Sequence, residues 1–293
     1  RSSQAKILGP DYLAGRSLVA DLAQAQVEHR AGVTVWNVSE DGAVTYSANE
    51  LAQQVQGQHV ILATGAIERP VPLPGWTLPG VITAGAAQIL MKTSGMLPKD
   101  AVLAGSGPLL YLVAGQMIDA GCPPKALVET QTNRMMFDAL PHLPRALLGL
   151  PTLVKGLSLI RKIQAAGVRR YKGAAQFEAL SKADGTLAFS FTHKGGCETL
   201  SATLLLTHQG VIPSTHMSRS AGIKHEWNAA QLSFQPVTDA WGSTNVQGLH
   251  VAGDGAGIGG AETAAASGEM AALNILKQVG CISADTRAQR AAL

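Results

Sequence analysis

The stretch AVLAGSGPLLYLVAGQMIDAG, residues 101–121, decides the fold. A short apolar run, AVLAG, ends in Gly105-Ser106-Gly107-Pro108, after which the apolar spacing becomes helical. Gly105 permits a tight turn after a strand, and Gly107 lets backbone approach a pyrophosphate. Pro108 suits the first turn of a helix, where no N–H is needed. The helix start that follows offers N–H groups and a positive dipole end to a phosphate. A second apolar run, KALVET at 125–130, completes a strand–helix–strand unit of the usual length, about 30 residues. Glu129 ends it, where an acid can bind ribose hydroxyls. The pattern departs from G-x-G-x-x-G at its third glycine, because position 110 is Leu. That glycine normally lets the helix pack closely on its strand, so Leu110 implies a shifted helix or a partly filled pocket. Two readings stand: an adenine-nucleotide site, and a Rossmann-type turn that no longer binds.

Outward from this unit the chain keeps alternating between strand and helix. QHVILATGA at 58–66 is an apolar strand ending in small residues. ERPVPLPGWTLPG at 68–80 holds four prolines, cannot be regular, and reads as a connector. TAGAAQILMKTSG at 83–95 is a short helix, and SLVADLAQAQVEHRAG at 17–32 a helix with a Gly stop. VTVWNV at 33–38 is a strand, and DGAVTYS turns into another. Residues 134–166 form amphipathic helical segments broken by Pro141, Pro144 and Pro151. A β-meander around a D-G turn fills 168–196, and ATLLLTHQGVIP at 202–213 is a buried strand ending at a Gly/Pro turn. GLHVAGD at 248–254 is a strand and 262–280 a small-residue helix. Between these two lies a second glycine-rich turn, VAGDGAGIGGAE at 251–262. There Asp254 can accept a hydrogen bond from a cofactor hydroxyl or cap the helix. Gly255, Gly257, Gly259 and Gly260 leave backbone N–H groups open to an anion.

Composition sets bounds. The 293 residues suit one large or two ordinary domains, with 46% apolar and 15% charged residues. The 32 glycines and 4% aromatics suit an α/β protein with tight turns. A formal charge of +3 without clusters points away from nucleic acid. Cys122, Cys197 and Cys281 form no C-x-x-C, so neither a zinc pair nor a local redox dithiol is offered, and a cytosolic location is expected. No signal-peptide core appears, and the longest apolar run, around 101–121, is broken by Gly and Pro, so no transmembrane segment is expected. His142, His193, His208, His216, His225 and His250 follow no metal-binding spacing and read as surface or satisfied core residues. Arg169 and Arg170 read as a solvated strand start. No nucleophile elbow, P-loop or acid/base pair is apparent, which agrees with chemistry done by a cofactor.

Three segments occur in a telling order: ILATGAIERPVPLPGWTLPGV, then VLAGSGP, then TNVQGLHVAGDGAGIGGAE. This resembles the two-dinucleotide-domain flavoproteins of the pyridine nucleotide-disulfide oxidoreductase type, in which an FAD domain is split by an inserted NAD domain. Within them, these segments and HEWNAAQLSFQPVTDAWG most resemble the α (A) subunits of opine oxidase, hydrogen cyanide synthase, and sarcosine, proline and hydroxyproline dehydrogenases. The resemblance covers nearly the whole chain. It implies an α/β fold of two Rossmann-like domains, each a three-layer arrangement of sheet and helix with a β-meander. Residues 1–97 and 214–293 would form a discontinuous FAD domain, and 98–213 the inserted nucleotide domain. Ala63, Thr64 and Gly65 would lie near the flavin nucleotide, with Gly253, Asp254, Gly255 and Gly260 at its ribityl or pyrophosphate region. Gly105, Gly107, Pro108 and Glu129 would hold NAD or ATP.

The resemblance further implies an electron-transferring subunit whose glycine-oxidase-like β partner oxidises the C–N bond of a small amine, in the cytoplasm or against the inner membrane face. Two departures are expected to mark a fragment: no G-x-G-x-x-G precedes residue 60, and no cysteine-rich iron–sulfur tail follows. The FAD half would then be incomplete, and any iron–sulfur cluster would sit in a missing or partner segment. A self-sufficient NAD(P)H-dependent flavoprotein reductase and a non-enzymatic nucleotide-binding scaffold are the alternatives.

Overall fold

The computed structural model describes residues 15–138, 141 and 150–292. In chain order the strands begin with β1 (Thr34–Val38), β2 (Ala43–Ala48), β3 (Leu51–Gln56), β4 (Val60–Leu62), β5 (Ala66–Glu68) and β6 (Val81–Thr83). They continue with β7 (Ala101–Ser106), β8 (Ala126–Glu129), β9 (Arg169–Lys172), β10 (Ala175–Ser181), β11 (Leu187–His193) and β12 (Gly196–Ala202). The last are β13 (Leu204–Gln209), β14 (Val211–Pro213), β15 (His225–Asn228), β16 (Ser233–Pro236) and β17 (Leu249–Val251). The helices are α1 (Arg16–Gln24), α2 (Ala84–Ser94), α3 (Pro108–Asp119), α4 (Asn133–Asp138), α5 (Leu150–Ala165), α6 (His216–Ser220), α7 (Ala261–Gln278) and α8 (Ala284–Ala291). Parts of the expected helical region at 134–166, namely 139–140 and 142–149, lie outside the described residues.

The chain forms two compact units. One comprises residues 1–27 and 68–210, the other 28–67 and 211–293. In the first, five parallel strands run in the order β6-β13-β7-β8-β9. Both faces of this sheet are covered, which is why β7 reads as an unbroken apolar run. The period-two alternation still sorts its side chains. Ala101 and Leu103 join the cluster formed with α2, α3 and α5, whereas Val102 and Ala104 join the one formed with the meander. The meander itself is the antiparallel set β10-β11-β12, and Phe189 and Phe191 on its central strand are buried against the sheet. Burying each such large side chain contributes roughly 1.5–3 kcal/mol. The three layers are therefore helices, parallel sheet and meander. The first strand of the expected meander, β9, instead extends the parallel sheet beside β8.

The residue position 97/98, the expected edge of the inserted domain, falls inside this unit, between α2 and β7. The reason is visible in the packing: β6 pairs with β13, and Ala84, Ala87 and Met91 of α2 belong to the same core as α3. Helix α2 has both of its ends defined, with the Thr83 hydroxyl accepting from the Ala86 N–H at 3.2 Å and Gly95 left-handed at φ 65°.

In the second unit β1-β2-β3 form an antiparallel meander, and β4 pairs in parallel with β17. Val38, Leu62, Leu249 and Val251 form its core with Ala221 and Ile223 of the α6 region. The strand β3, LAQQVQ, is exposed along its whole length.

Candidate functional sites at two strand ends

In the first unit the chain turns sharply between β7 and α3. Gly105 and Gly107 have φ 131° and 104°, values that favour glycine. A Cβ on Gly105 would run into the His208 carbonyl on β13, so that glycine answers to the close approach of two strands. A Cβ on Gly107 would meet only the Cδ2–Nε2 edge of the His208 ring, at 3.3 Å. Pro108 takes the first helical position. Leu110 is wholly buried in the core shared by α2 and α3. The small residues Ala84 and Ala87 belong to that core, and room for a leucine exists where the common pattern has glycine.

Glu129 ends β8 directly opposite Gly105 in the ladder and is 2% exposed. Both carboxylate oxygens are engaged. Arg170 on β9 donates from Nε to Oε2 at 2.9 Å and from Nη2 to Oε1 at 2.8 Å, and the Tyr111 hydroxyl donates to Oε1. Burial, then the Glu129 carboxylate beside it, push the Tyr111 hydroxyl up to about 12. Burial disfavours the Arg170 charge, but Glu129 and Tyr111 outweigh that and raise its pKa.

On the meander side of the same sheet lies a cavity of about 550 Å³. The proline-rich connector lines it with Val71, Leu73 and Trp76, together with Phe177. At its floor the His208 Nδ1 is 2.6 Å from Glu68 Oε1. Glu68 Oε2 accepts from the Gly85 N–H at 2.7 Å. Burial would raise the Glu68 carboxyl, but hydrogen bonds from His208, Thr83 and Gly85 hold it below the usual range.

In the second unit the parallel pair β4 and β17 brings two loops to one strand end. Ala63, Thr64 and Gly65 follow β4; Gly253, Asp254 and Gly255 follow β17. They touch: a Cβ on Gly255 would lie 2.9 Å from Thr64 Oγ1. Thr64 donates to the Ser214 carbonyl at 2.8 Å, and the Gly253 N–H donates to Ser267 Oγ at 2.7 Å. Asp254 Oδ1 accepts from the Gly259 and Gly260 N–H groups, each at 3.0 Å, and so ties the glycine loop ahead of α7, whose cap residue Gly260 carries no side-chain cap.

A model of the pyridine nucleotide-disulphide oxidoreductase family matches residues 3–271. The chain belongs to the pyridine nucleotide-disulphide oxidoreductase family. This family member is 40% identical over 301 residues to the A-type subunit of opine oxidase from Rhizobium meliloti, a match covering 99% of the chain and 56% of the relative. It is 35% identical over 241 residues to hydrogen cyanide synthase subunit HcnB of Pseudomonas aeruginosa, covering 78% of the chain and 50% of that relative. The chain thus spans about half the length of the curated relatives it matches. An NAD-dependent persulfide reductase from A. fulgidus shares its fold, with TM-score 0.61 at 15% identity over 93% of the chain and 51% of that structure.

In this family member the expected site residues fall into two groups. Gly105, Gly107, Pro108 and Glu129 gather at one strand end, and Ala63, Thr64, Gly65, Gly253, Asp254, Gly255 and Gly260 at another. Two expectations are corrected. Arg170 is not a solvated strand start: its side chain is 12% exposed and paired with Glu129. His208 is the expected buried, hydrogen-bonded core histidine, but its partner Glu68 makes with it an acid/base pair that is not apparent in the sequence. These residues lie 140 positions apart, with Glu68 ending β5, which pairs with β14, the strand that follows the His208 strand β13, so no local motif could mark them. Among the described residues no group of three His, Cys, Asp or Glu could hold a metal ion, and no helix is long and apolar enough to cross a membrane.

Proposed function

We propose that the chain is the electron-transferring α-subunit portion of an FAD-dependent amino-acid or opine dehydrogenase. A glycine-oxidase-like partner subunit oxidises the C–N bond of a small secondary amine. The observation that carries this reading is the identity of 40% across 99% of the chain to an A-type subunit of opine oxidase, on a fold whose two strand ends each suit a nucleotide. FAD, when bound, supplies the two-electron acceptor. The residues present fit one part of it. At the end of β4 and β17, Ala63, Gly65, Gly253 and Gly255 are small enough for close backbone approach, and Gly255 tolerates no Cβ against Thr64. Asp254 keeps one carboxylate oxygen, Oδ2, beyond its bonds to Gly259 and Gly260.

The turn at Gly105–Pro108 fits a second adenine nucleotide, NAD or ATP, with phosphate over the start of α3. Glu129 serves this site through Arg170, because both of its oxygens are already occupied. An iron–sulfur cluster belongs, on this reading, to other segments or to the partner, and the assembly works in the cytoplasm. The test is to mix the full-length protein with its amine substrate, with and without its partner, and then with NADH. Flavin reduction by the amine only when the partner is present is expected. Rapid flavin bleaching by NADH in the absence of the partner would overturn the reading in favour of a self-sufficient reductase.

A further inference from the structure

The Gly105–Pro108 turn and the cavity beside it share one side chain, His208. Its side chain is 2% exposed. Its Nδ1 is taken by Glu68 at 2.6 Å. Its other nitrogen, Nε2, has no partner among the described residues and sits 3.3 Å from the point where a Cβ on Gly107 would be. That point matters, because the second glycine of such a turn is small so that a pyrophosphate can come close to the backbone. A phosphate seated there meets the Nε2 edge of the ring. What the ring presents depends on its protonation. With Glu68 accepting from Nδ1–H, a neutral His208 turns a lone pair toward the phosphate, which is repulsive. A protonated His208 turns an N–H toward it, giving a charge-assisted hydrogen bond. Glu68 stabilises that cation from the other side.

We propose that seating a nucleotide phosphate on the Gly105–Pro108 turn is coupled to uptake of one proton by His208, with Glu68 as the positioning residue that holds the imidazolium. This rests on the reading of the turn as a nucleotide site. The other groups around the ring do not supply the proton. Among the described residues, the titratable side chains of the cavity wall are Glu68, Arg69 and His208. Arg69 donates through Nε to the Gln209 carbonyl at 3.2 Å. Thr83, Thr207 and Gln209, from β6 and β13, are neutral. On the far strand β8, Glu129 is neutralised by Arg170, and Tyr111 on α3 keeps its proton. Nucleotide affinity therefore falls as pH rises, because the phosphate then has to drive protonation of a neutral ring.

Calorimetry of ADP-ribose and ATP binding to the full-length protein tests this, in buffers of different ionisation enthalpy between about pH 5.5 and 8.5, the span in which imidazoles titrate. Binding at the alkaline end should take up about one proton and lose about tenfold in affinity per pH unit. His208→Gln retains an N–H donor without a titrating proton. It should bind with flat pH dependence and, after subtraction of the nucleotide's own protons, no uptake. Glu68→Gln should move the dependence toward lower pH, and it decides the matter if His208→Gln does not fold. Binding by the unaltered protein without proton uptake would overturn the inference while leaving the nucleotide site intact. Absence of nucleotide binding at every pH would remove the nucleotide site and the inference with it.

Discussion

Replacing Arg170 by Met should destabilise the first unit more than an ordinary surface-charge change. The Arg170 and Glu129 side chains are 12% and 3% exposed, and they form two hydrogen bonds of 2.8 and 2.9 Å. The variant leaves a carboxylate that is 3% exposed with only the Tyr111 hydroxyl as partner. Stranding one partner of a buried ion pair costs about 3–5 kcal/mol. The remaining Tyr111 bond offsets a charge-assisted hydrogen bond of about 1.5–3 kcal/mol at most, which places the expected loss near the lower limit, about 3 kcal/mol. The cation stacked 5.5 Å from the Tyr111 ring is lost as well, a further contribution of about 0.5–1 kcal/mol. Urea unfolding at neutral pH measures the loss.

The decisive comparison is the double variant Glu129→Gln/Arg170→Met. It removes both charges, and should recover at least about 1.5 kcal/mol relative to Arg170→Met alone, since replacing a whole buried pair is often near neutral. A loss below about 1 kcal/mol, the range of exposed pairs, would refute the reasoning, as would a double variant no better than the single.

Three further outcomes follow from named contacts. One of the four tyrosines should titrate near 12 by ultraviolet absorbance and lose that behaviour in Tyr111→Phe. Since the folded state holds a proton that the unfolded chain releases above about pH 10, stability should fall as pH rises from there to 12. Leu110→Gly restores the common glycine pattern yet should lower stability by about 3–6 kcal/mol, from the cavity left in the core and the helical glycine; a neutral result in thermal unfolding would show that residue 110 is not a core residue. Asp254→Ala should cost about 0.5–1.5 kcal/mol for each of its bonds to Gly259 and Gly260, and Asp254→Asn less. Equal losses in the two variants would argue against a role for these bonds.

What the sequence made legible was local. The β7–α3 turn could be read because tight turns and close strands admit only glycine at Gly105 and Gly107, and α2 because Thr83 and Gly95 bound it. The buried strands β7 and β13 were plain from their apolar runs. The strand β3 was not, since LAQQVQ has no buried face and is held by its ladder with β2. The same limit applies to the sites. The role of Leu110 depends on Ala84 and Ala87, which precede it by a helix and a strand. Arg170 reaches Glu129 across a gap of 41 residues, and His208 reaches Glu68 across 140. The first pair follows from strand order, β9 lying beside β8, and the second from the pairing of β5, which Glu68 ends, with β14, the strand after β13.

The two-nucleotide reading is tested most directly by denaturing the protein, purified with its partners from the cell that makes it, and identifying the released nucleotides by mass spectrometry. FAD together with a second adenine nucleotide, in equal amounts, is the expected result. Release of FAD alone would contradict a nucleotide site at the Gly105–Pro108 turn, and release of neither would contradict both sites.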